Sequence, residues 1–281
     1  MPLEEVTIPT EKIANEIANY TIGFAKLTVR DRVEDALCSG SGTLVFAGRV
    51  FGILTAAHVL SELPESGEVG LVTLAGQERQ FRKLTIEMSE TKRISLRPKD
   101  FGPDGPDIGF LRLPESSLGW LQAINSFYNL TKTCEDLLAD IAPGPDFTHA
   151  VVGMIGDRTK SILENGLRKK GFEAVFSDGN IVGTRHANGY DLLSFLPNLY
   201  PDTQLPGDFR GTSGGALWRV YIGKKDASYQ AIGKRLWGVP FYQSLPDSNG
   251  RRTLTCHNPN AIYTSILDEI TKLWPNEVEA E

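Results

Sequence analysis

Short apolar blocks, separated by glycines or charged residues, recur along most of the chain. From about Ile22 these blocks are IGFAKLTV, GTLVFAG and VFGILTAAHV. After a less regular middle stretch the pattern returns in HAVVGMIG, FEAVFS, NIVGT, YDLLSFLP, ALWRVYIG and QAIGKRLWGVPFYQ. Short apolar runs bounded by turn residues are typical of β-strands. We therefore predict an all-β fold with two β-rich halves and no alternation of strands and helices.

Helical spacing occurs in three places. Near the start, Thr10 is a predicted helix cap, and one apolar face comprises Ile13, Ala14, Ile17 and Ala18. In the middle, CEDLLADI is the best helical segment. Near the end, Asn260 is a predicted cap and Pro275 a predicted stop. The apolar stripe between them comprises Ile262, Ile266, Ile270 and Leu273. The final NEVEAE is predicted to be a frayed acidic tail.

Composition and charge exclude several classes of protein. The chain has 281 residues and a net charge of −6, which argues against a strongly basic nucleic-acid-binding protein. It contains no apolar run of about 18 residues, so no transmembrane helix is predicted. The polar, acidic start MPLEEVTIPTEK lacks the features of a signal peptide. We therefore expect a cytoplasmic protein that binds neither nucleic acid nor a membrane.

Neither the cysteines nor a cluster of aspartates predicts a metal site. The three cysteines are Cys38, Cys134 and Cys256. They are widely spaced and form no CxxC pair, so we expect reduced thiols in or near the core. Asp100, Asp104 and Asp107 share one loop, but the other ligands of a calcium-binding loop are missing from its spacing. We predict no metal and no organic cofactor.

Three short segments carry the residue types of a nucleophilic hydrolase. They are GSGTLV (40–45) with LTAAH (54–58), DIGFL (107–111) and GTSGG (211–215). A serine hydroxyl needs a base within hydrogen-bond reach, and the base needs a third group that fixes its tautomer. Ser213, His58 and Asp107 are the predicted nucleophile, base and orienting carboxylate. Asp107 is preferred over Asp100 and Asp104 because it directly precedes an apolar strand. The other histidines, His149, His186 and His257, are expected to be structural or exposed.

The small residues of the GTSGG segment have physical roles of their own. The backbone N–H groups of Gly211 and Ser213 are the predicted oxyanion hole, and each such donor is worth about 3–4 kcal/mol in the transition state. Gly214 and Gly215 are expected to leave room for a tight turn and for the substrate backbone. Ala56 and Ala57 are expected to permit close packing between the two halves.

In kind and order, the three segments resemble those of the trypsin-like (chymotrypsin-fold) serine peptidases, especially the bacterial, disulfide-free type. The separations, 49 residues from His58 to Asp107 and 106 from Asp107 to Ser213, are also similar. The resemblance covers about Ile22 to Trp274 and implies two six-stranded antiparallel β-barrels with the active site between them. The implied parts of this single unit (1–281) are an N-terminal barrel (22–118), a linker (119–145), a C-terminal barrel (146–258) and a helix (260–274).

The resemblance also implies an activity. It implies a serine endopeptidase that cleaves protein or peptide substrates through an acyl-enzyme on Ser213, with His58 as base and then acid. A processing or regulatory protease of a bacterial cytoplasm is the expected role. Thr212 stands where the digestive enzymes carry the aspartate that pairs with a newly cut N-terminus. We therefore expect the loop at about Leu205–Gly211 to be ordered intrinsically or by an activating protein partner.

Specificity and two alternatives complete the sequence-based expectations. The implied substrate pocket comprises Gly207–Arg210 with Phe241, Tyr242 and Gln243. Asp208 either favours a basic substrate side chain or is a solvated loop carboxylate. GTSGG also fits the nucleophile elbow of α/β-hydrolases, but only 68 residues follow Ser213 and no βαβ alternation is visible. The alternative is a non-catalytic or partner-activated protein-binding module on a trypsin-like scaffold, which the sequence does not directly support because all three triad residue types are present.

Overall fold

Antiparallel β structure dominates the chain and forms two curled sheets. The computed structural model describes residues 10–30, 33–74, 84–97, 102–132, 146–164, 167–198, 206–225 and 228–279. The predicted helix CEDLLADI, Cys134, Asp100 and Leu205 lie outside these ranges. None of the helices in these ranges is both long enough and apolar enough to cross a membrane.

The first sheet contains eight strands and carries the LTAAH and DIGFL segments. The strands are β1 (Thr21–Arg30), β2 (Val33–Ala47), β3 (Val50–Thr55), β4 (Glu68–Thr73), β5 (Leu84–Glu87), β6 (Lys92–Leu96), β7 (Ile108–Arg112) and β8 (Tyr128–Asn129). Their order is β5-β4-β1-β2-β3-β7-β6, and β8 pairs with β2 in parallel. Among the described residues this path is open, with β5 and β6 at its ends.

The second sheet closes on itself as a barrel of six strands. They are β9 (Phe147–Glu164), β10 (Leu167–Ala187), β11 (Tyr190–Pro197), β12 (Ala216–Lys225), β13 (Ser228–Gln243) and β14 (Leu254–His257). The closed order is β10-β11-β14-β13-β12-β9, and every pair is antiparallel. The GTSGG segment is the turn that leads directly into β12.

Short helices join and flank the sheets. The helices of the first half are α1 (Thr10–Ala18), α2 (Ala57–Glu62), α3 (Glu115–Ile124) and a 3₁₀ turn (Met88–Glu90). At the end of the chain a π-helical segment (Ala261–Ile266) continues as an α-helix (Leu267–Leu273), and a last helical turn follows (Pro275–Val278). The predicted helices at 10–18 and 260–274 are therefore present.

The structure corrects two predictions about the last helix. The carboxamide oxygen of Asn258, rather than that of Asn260, accepts the N–H of Ala261 at 3.2 Å. The end of the chain is not a frayed tail through residue 279. Glu277 forms an ion pair with Arg112 at 2.8 Å, and its carbonyl accepts the N–H of Arg49 at 2.8 Å. The predicted stop at Pro275 is confirmed, because the helix ends at Leu273 and Pro275 begins a separate helical turn, which contacts the β2–β3 connection.

One hydrophobic core is shared between the two sheets and both terminal helices. It includes Ile13 and Ile17 of α1, Trp218 of β12, and Ile262 and Ile266 of the π-helical segment. Each half also has a further core of its own. One lies mainly on the first sheet, and the other lies inside the second barrel. Cys256 is fully buried in the second of these, and Cys38 is half-buried. Because the shared core joins the sheets, the relative position of the two halves depends on side-chain packing.

Replacing Trp218 with alanine is expected to destabilise the fold strongly. The Trp218 indole is fully buried, and its ring centroid lies 5.4 Å from that of Tyr20 and 5.2 Å from that of Tyr128. Such a truncation costs about 3–5 kcal/mol of unfolding free energy. Denaturant unfolding measures it, with Val182→Ala as the control because Val182 is 55% exposed. Equal losses in the two variants would contradict the shared core.

Candidate active site

The structure brings His58 and Asp107 into direct contact. His58 lies in the first turn of α2, and Asp107 immediately precedes β7. The Nδ1 of His58 lies 2.6 Å from Asp107 Oδ2, and the backbone N–H of His58 donates to Asp107 Oδ1 at 2.7 Å. An ionised carboxylate only accepts hydrogen bonds, so Nδ1 is the donor in this contact. The Asp107 side chain is fully buried, whereas 20% of the His58 side chain is exposed.

The competing carboxylate Asp104 has a different environment. Its side chain is 57% exposed and forms an ion pair with Arg185 at 3.0 Å. Of the two loop aspartates that the structure describes, only Asp107 therefore contacts a histidine at the start of α2. The position before an apolar strand was the correct sequence signal for a buried carboxylate.

The loop that carries Ser213 lies directly on the first sheet. The carbonyl of Ser213 accepts the N–H of Ser41 in β2 at 2.9 Å. The next residue, Gly214, packs against Thr55 and Ala56. Ala56 is two residues before His58 in the chain. The backbone of Ser213 and the start of α2 therefore lie at the same contact between the two sheets.

Gly214 adopts the tight turn that its sequence predicted, and its missing side chain has a further steric reason. Its φ of 81° lies in the left-handed region, and a Cβ at this position would stand 2.8 Å from the N of Ala56 and still nearer the carbonyl oxygen of Ser41. The missing side chain thus makes room for the first sheet of the same chain, not for the substrate. Ala56 is fully buried at this contact, as its small size led us to expect.

The predicted oxyanion loop contains a glycine in the left-handed backbone region. Gly211 adopts a φ of 95°. The N–H of Thr212, which lies between Gly211 and Ser213, donates to the carbonyl of Phe209 at 3.0 Å, and the N–H of Gly214 donates to the carbonyl of Pro240 at 2.8 Å. Within the described ranges, the N–H groups of Gly211 and Ser213 have no acceptor. They are therefore available to an oxygen atom of a bound molecule.

Ser41 holds this loop against both sheets. Its hydroxyl donates to the carbonyl of Gly211 at 2.6 Å and accepts the N–H of Met154 in β9 at 2.7 Å. The neighbouring Arg210 carbonyl accepts the N–H of Gly156 at 2.8 Å. The sequence analysis quoted Ser41 within GSGTLV but assigned it no role, because both partners lie more than 100 residues away.

His257 is a site residue that the sequence analysis missed. Its Nε2 accepts the backbone N–H of Asp107 at 2.9 Å, and its ring stacks on Phe241 with centroids 4.7 Å apart. The side chain is fully buried, and its Nδ1 has no hydrogen-bond partner among the described residues. Burial lowers the pKa of His257 to about 4, although the nearby Asp107 acts in the opposite direction. A neutral imidazole from the second sheet therefore fixes the backbone of the orienting carboxylate.

A pocket of about 340 Å³ opens beside Ser213. The predicted residues Phe241, Tyr242 and Gln243 line it, together with Arg210, Thr212 and Arg252. Asp208 does not line it. Instead, Asp208 accepts hydrogen bonds from Gln243 Nε2 at 2.7 Å and from Arg210 Nε at 2.8 Å. Burial acts to raise the pKa of Asp208, but these hydrogen bonds outweigh it and keep the pKa below its usual value.

The remaining two histidines have partners outside this site. His149 is buried in β9 beside Arg219, and burial followed by the Arg219 charge lowers its pKa to about 4. His186 is exposed and pairs with Asp191 at 2.8 Å. Across the described ranges, no group of three or more His, Cys, Asp or Glu side chains is arranged to hold a metal ion.

Comparison with known proteins adds no assignment, because no protein-family model and no curated protein matches the chain.

Replacing His257 with phenylalanine is expected to change how stability depends on pH. Because the pKa of about 4 lies below the unfolded value of about 6.5, folding favours the neutral ring. This contribution, about 3 kcal/mol, is present above pH 6.5 and is lost as the pH falls toward 4. At pH 7 the variant loses the acceptor for the Asp107 N–H, a cost of about 1–3 kcal/mol. The stability gap to wild type should then narrow at pH 4.5.

Urea unfolding at pH 7 and pH 4.5 measures this gap. His149 titrates in the same range, but it is present in both proteins and cancels in the difference. An equal difference in unfolding free energy between the two proteins at both pH values would show that burial does not keep His257 neutral.

Proposed function

We propose that the protein is a serine endopeptidase of trypsin-like architecture. The observation that carries this proposal is the buried Asp107 carboxylate, which holds both the ring and the backbone of His58 beside the Ser213 loop. The closed second barrel and the curled first sheet are compatible with a double barrel. The proposed substrates are proteins or peptides, because the open pocket beside Ser213 accepts a side chain and the backbone on either side stays outside.

The proposed reaction uses two acyl-transfer steps. In the first, the Ser213 Oγ attacks the carbonyl carbon of the peptide bond and passes its proton to His58 Nε2. The C–N bond then breaks, and His58 returns that proton to the leaving amine. In the second step, water attacks the acyl-enzyme, His58 takes a proton from the water, and the acid product leaves as that proton returns to Ser213. The N–H groups of Gly211 and Ser213 stabilise the negative oxygen in both steps.

The competing hypothesis is a binding module with no catalytic activity. Two features favour an enzyme over such a module. Gly211 holds a positive φ that leaves two neighbouring N–H groups without an acceptor in the described residues. In addition, Asp107 is a fully buried carboxylate. Burying a charge costs folding free energy, and a role in orienting His58 explains why the protein has it there. A surface that only binds a partner needs neither feature.

The contacts of the oxyanion loop also favour a site that is ordered without an activator. Residues 206–211 are held by hydrogen bonds to Gly156 and Ser41. Thr212 is buried, and its hydroxyl donates to the carbonyl of Met154 at 3.4 Å. These bonds supply from within the fold what a cut N-terminus supplies in the digestive enzymes, so neither N-terminal cleavage nor an activating partner is part of the proposal.

A serine-reactive fluorophosphonate probe tests the proposed nucleophile. We expect wild type to be labelled on Ser213, and Ser213→Ala to remain unlabelled. His58→Ala should react more slowly by several orders of magnitude, up to about 10⁶-fold as in other triads. Asp107→Asn should lose about 10⁴-fold. Mass spectrometry locates the label, and His186→Ala is the matched control because His186 is exposed. A folded wild type that is never labelled would support the binding module.

Replacing Ser41 with alanine tests the order of the oxyanion loop. The change removes the donor to Gly211 and leaves the Met154 N–H without an acceptor, so we expect a stability loss of about 1–3 kcal/mol. Labelling of Ser213 should slow by about 10- to 100-fold, because the Gly211 N–H is no longer fixed. Rates are measured well below the unfolding temperature, with the exposed Ser116→Ala as control. Labelling at the wild-type rate would show that the loop is ordered by other contacts.

A further inference from the structure

The pocket beside Ser213 contains a positive charge that no carboxylate of the described residues neutralises. Arg252 lines this pocket and comes just before β14. Its Nε donates to the carbonyl of Gly207 at 2.8 Å, and its Nη1 donates to the carbonyl of Ser244 at 2.8 Å. Throughout the described residues, Arg252 has no acidic partner, and its Nη2 has no acceptor. A guanidinium has five N–H donors, so several remain for a ligand.

The surrounding charges do not cancel that of Arg252. Arg210, the other arginine of the pocket, has its Nε on Asp208 at 2.8 Å. Asp208 also accepts hydrogen bonds from the Gln243 side chain and the Arg210 backbone, and it stands outside the pocket wall. The nearest arginine in sequence, Arg251, pairs with Asp247 at 3.0 Å and does not line the pocket. The lining therefore carries a net positive charge.

Arg252 is also held in place before any ligand arrives. The two carbonyls that it contacts belong to separate segments, the loop before Ser213 and the residue that follows β13. Two hydrogen bonds between Ser244 and Thr253 close the β13–β14 connection. The Ser244 N–H donates to the Thr253 carbonyl at 2.8 Å, and the Thr253 N–H donates to the Ser244 hydroxyl at 3.0 Å. A guanidinium fixed in this way loses little conformational entropy when it binds a carboxylate.

We propose that Arg252 makes this pocket selective for an acidic side chain, glutamate foremost, on the N-terminal side of the cleaved bond. The inference rests on the proposed endopeptidase function. The substrate carboxylate accepts charge-assisted hydrogen bonds from the N–H groups of Arg252 that the protein leaves unused. A basic side chain in the same pocket meets a like charge, and Asp208 is already occupied by Arg210 and Gln243.

Arg252 could instead act only as a strap between the two segments whose carbonyls it contacts, and substrate selectivity separates the two roles. A strap affects all substrates by the same factor, whereas a carboxylate-binding residue changes the ratio between glutamate and its neutral isostere glutamine. The experiment therefore compares fluorogenic peptides that carry Glu, Gln, Lys or Leu before the scissile bond, with the other positions randomised. Each enzyme preparation is titrated with the fluorophosphonate probe, so kcat/KM refers to labelled Ser213.

For wild type we expect kcat/KM to favour Glu over Gln by about 10- to 100-fold, as a hydrogen bond to a charged group allows. Arg252→Gln should bring this ratio close to one, and Arg252→Glu should shift the preference to Lys. Arg251→Gln, which removes a neighbouring arginine outside the pocket, should keep the wild-type ratio. If the Arg252 variants do not fold, the wild-type ratio should fall as salt rises to about 1 M, because salt screens a partly exposed ion pair.

Three results would overturn the inference while leaving the proposed function intact. They are labelling of Ser213 with equal cleavage after Glu and Gln, labelling with a preference for Lys or Leu, and an Arg252→Gln variant that loses activity on every peptide by the same factor. Labelling without cleavage of any peptide also overturns the inference, because a pocket complementary to glutamate must accept glutamate. Failure of the probe to label folded wild type overturns the proposed function and the inference together.

Discussion

The site depends on the contact between the Ser213 loop and the backbone of β2 and β3. The Ser213 carbonyl accepts the Ser41 N–H, and Gly214 packs so closely on Thr55 and Ala56 that no side chain fits. These contacts place the loop of the second sheet two residues from His58. In the proposed mechanism Ser213 and His58 exchange a proton, which requires hydrogen-bond distance. A shift of about 1 Å where the two sheets touch would separate them. The shared core that joins the sheets is therefore as important to the site as the three side chains themselves.

The parts of the structure that rest on local patterns could be predicted from the sequence. Apolar blocks bounded by turn residues indicated the strands, and the buried position of Asp107 followed from its place before an apolar strand. The parts that rest on long-range packing could not be predicted. His257 lies 150 residues from Asp107 in the chain, and nothing in the sequence around it distinguishes it from an ordinary core histidine. The contacts of Glu277 with Arg49 and Arg112 were hidden for the same reason, because an acidic terminal segment is usually solvated.

Asp208 shows why the type of a residue is weaker evidence than its partners. In the sequence, a carboxylate close to the implied pocket suggested a basic preference as one of two possibilities. In the structure, Gln243 and Arg210 occupy both of its oxygens, whereas Arg252 on the pocket wall has no carboxylate partner among the described residues. The electrostatic character of a pocket follows from the charges that remain after internal pairing. Asp208, although it is close to the pocket in sequence, therefore does not make the pocket negative, whereas Arg252 makes it positive.

The position of the shared core has a consequence for the order in which the chain acquires its structure. Ile262, Ile266 and Ile270 complete this core, yet they follow all three triad residues in the sequence. During synthesis on a ribosome, His58, Asp107 and Ser213 emerge before the residues that clamp the two sheets together. Until that last segment docks, Trp218 and its neighbours lack one side of their packing. The proposed hydrolytic centre would then be assembled only when translation of this region is finished, which would spare the nascent chain from the proposed activity.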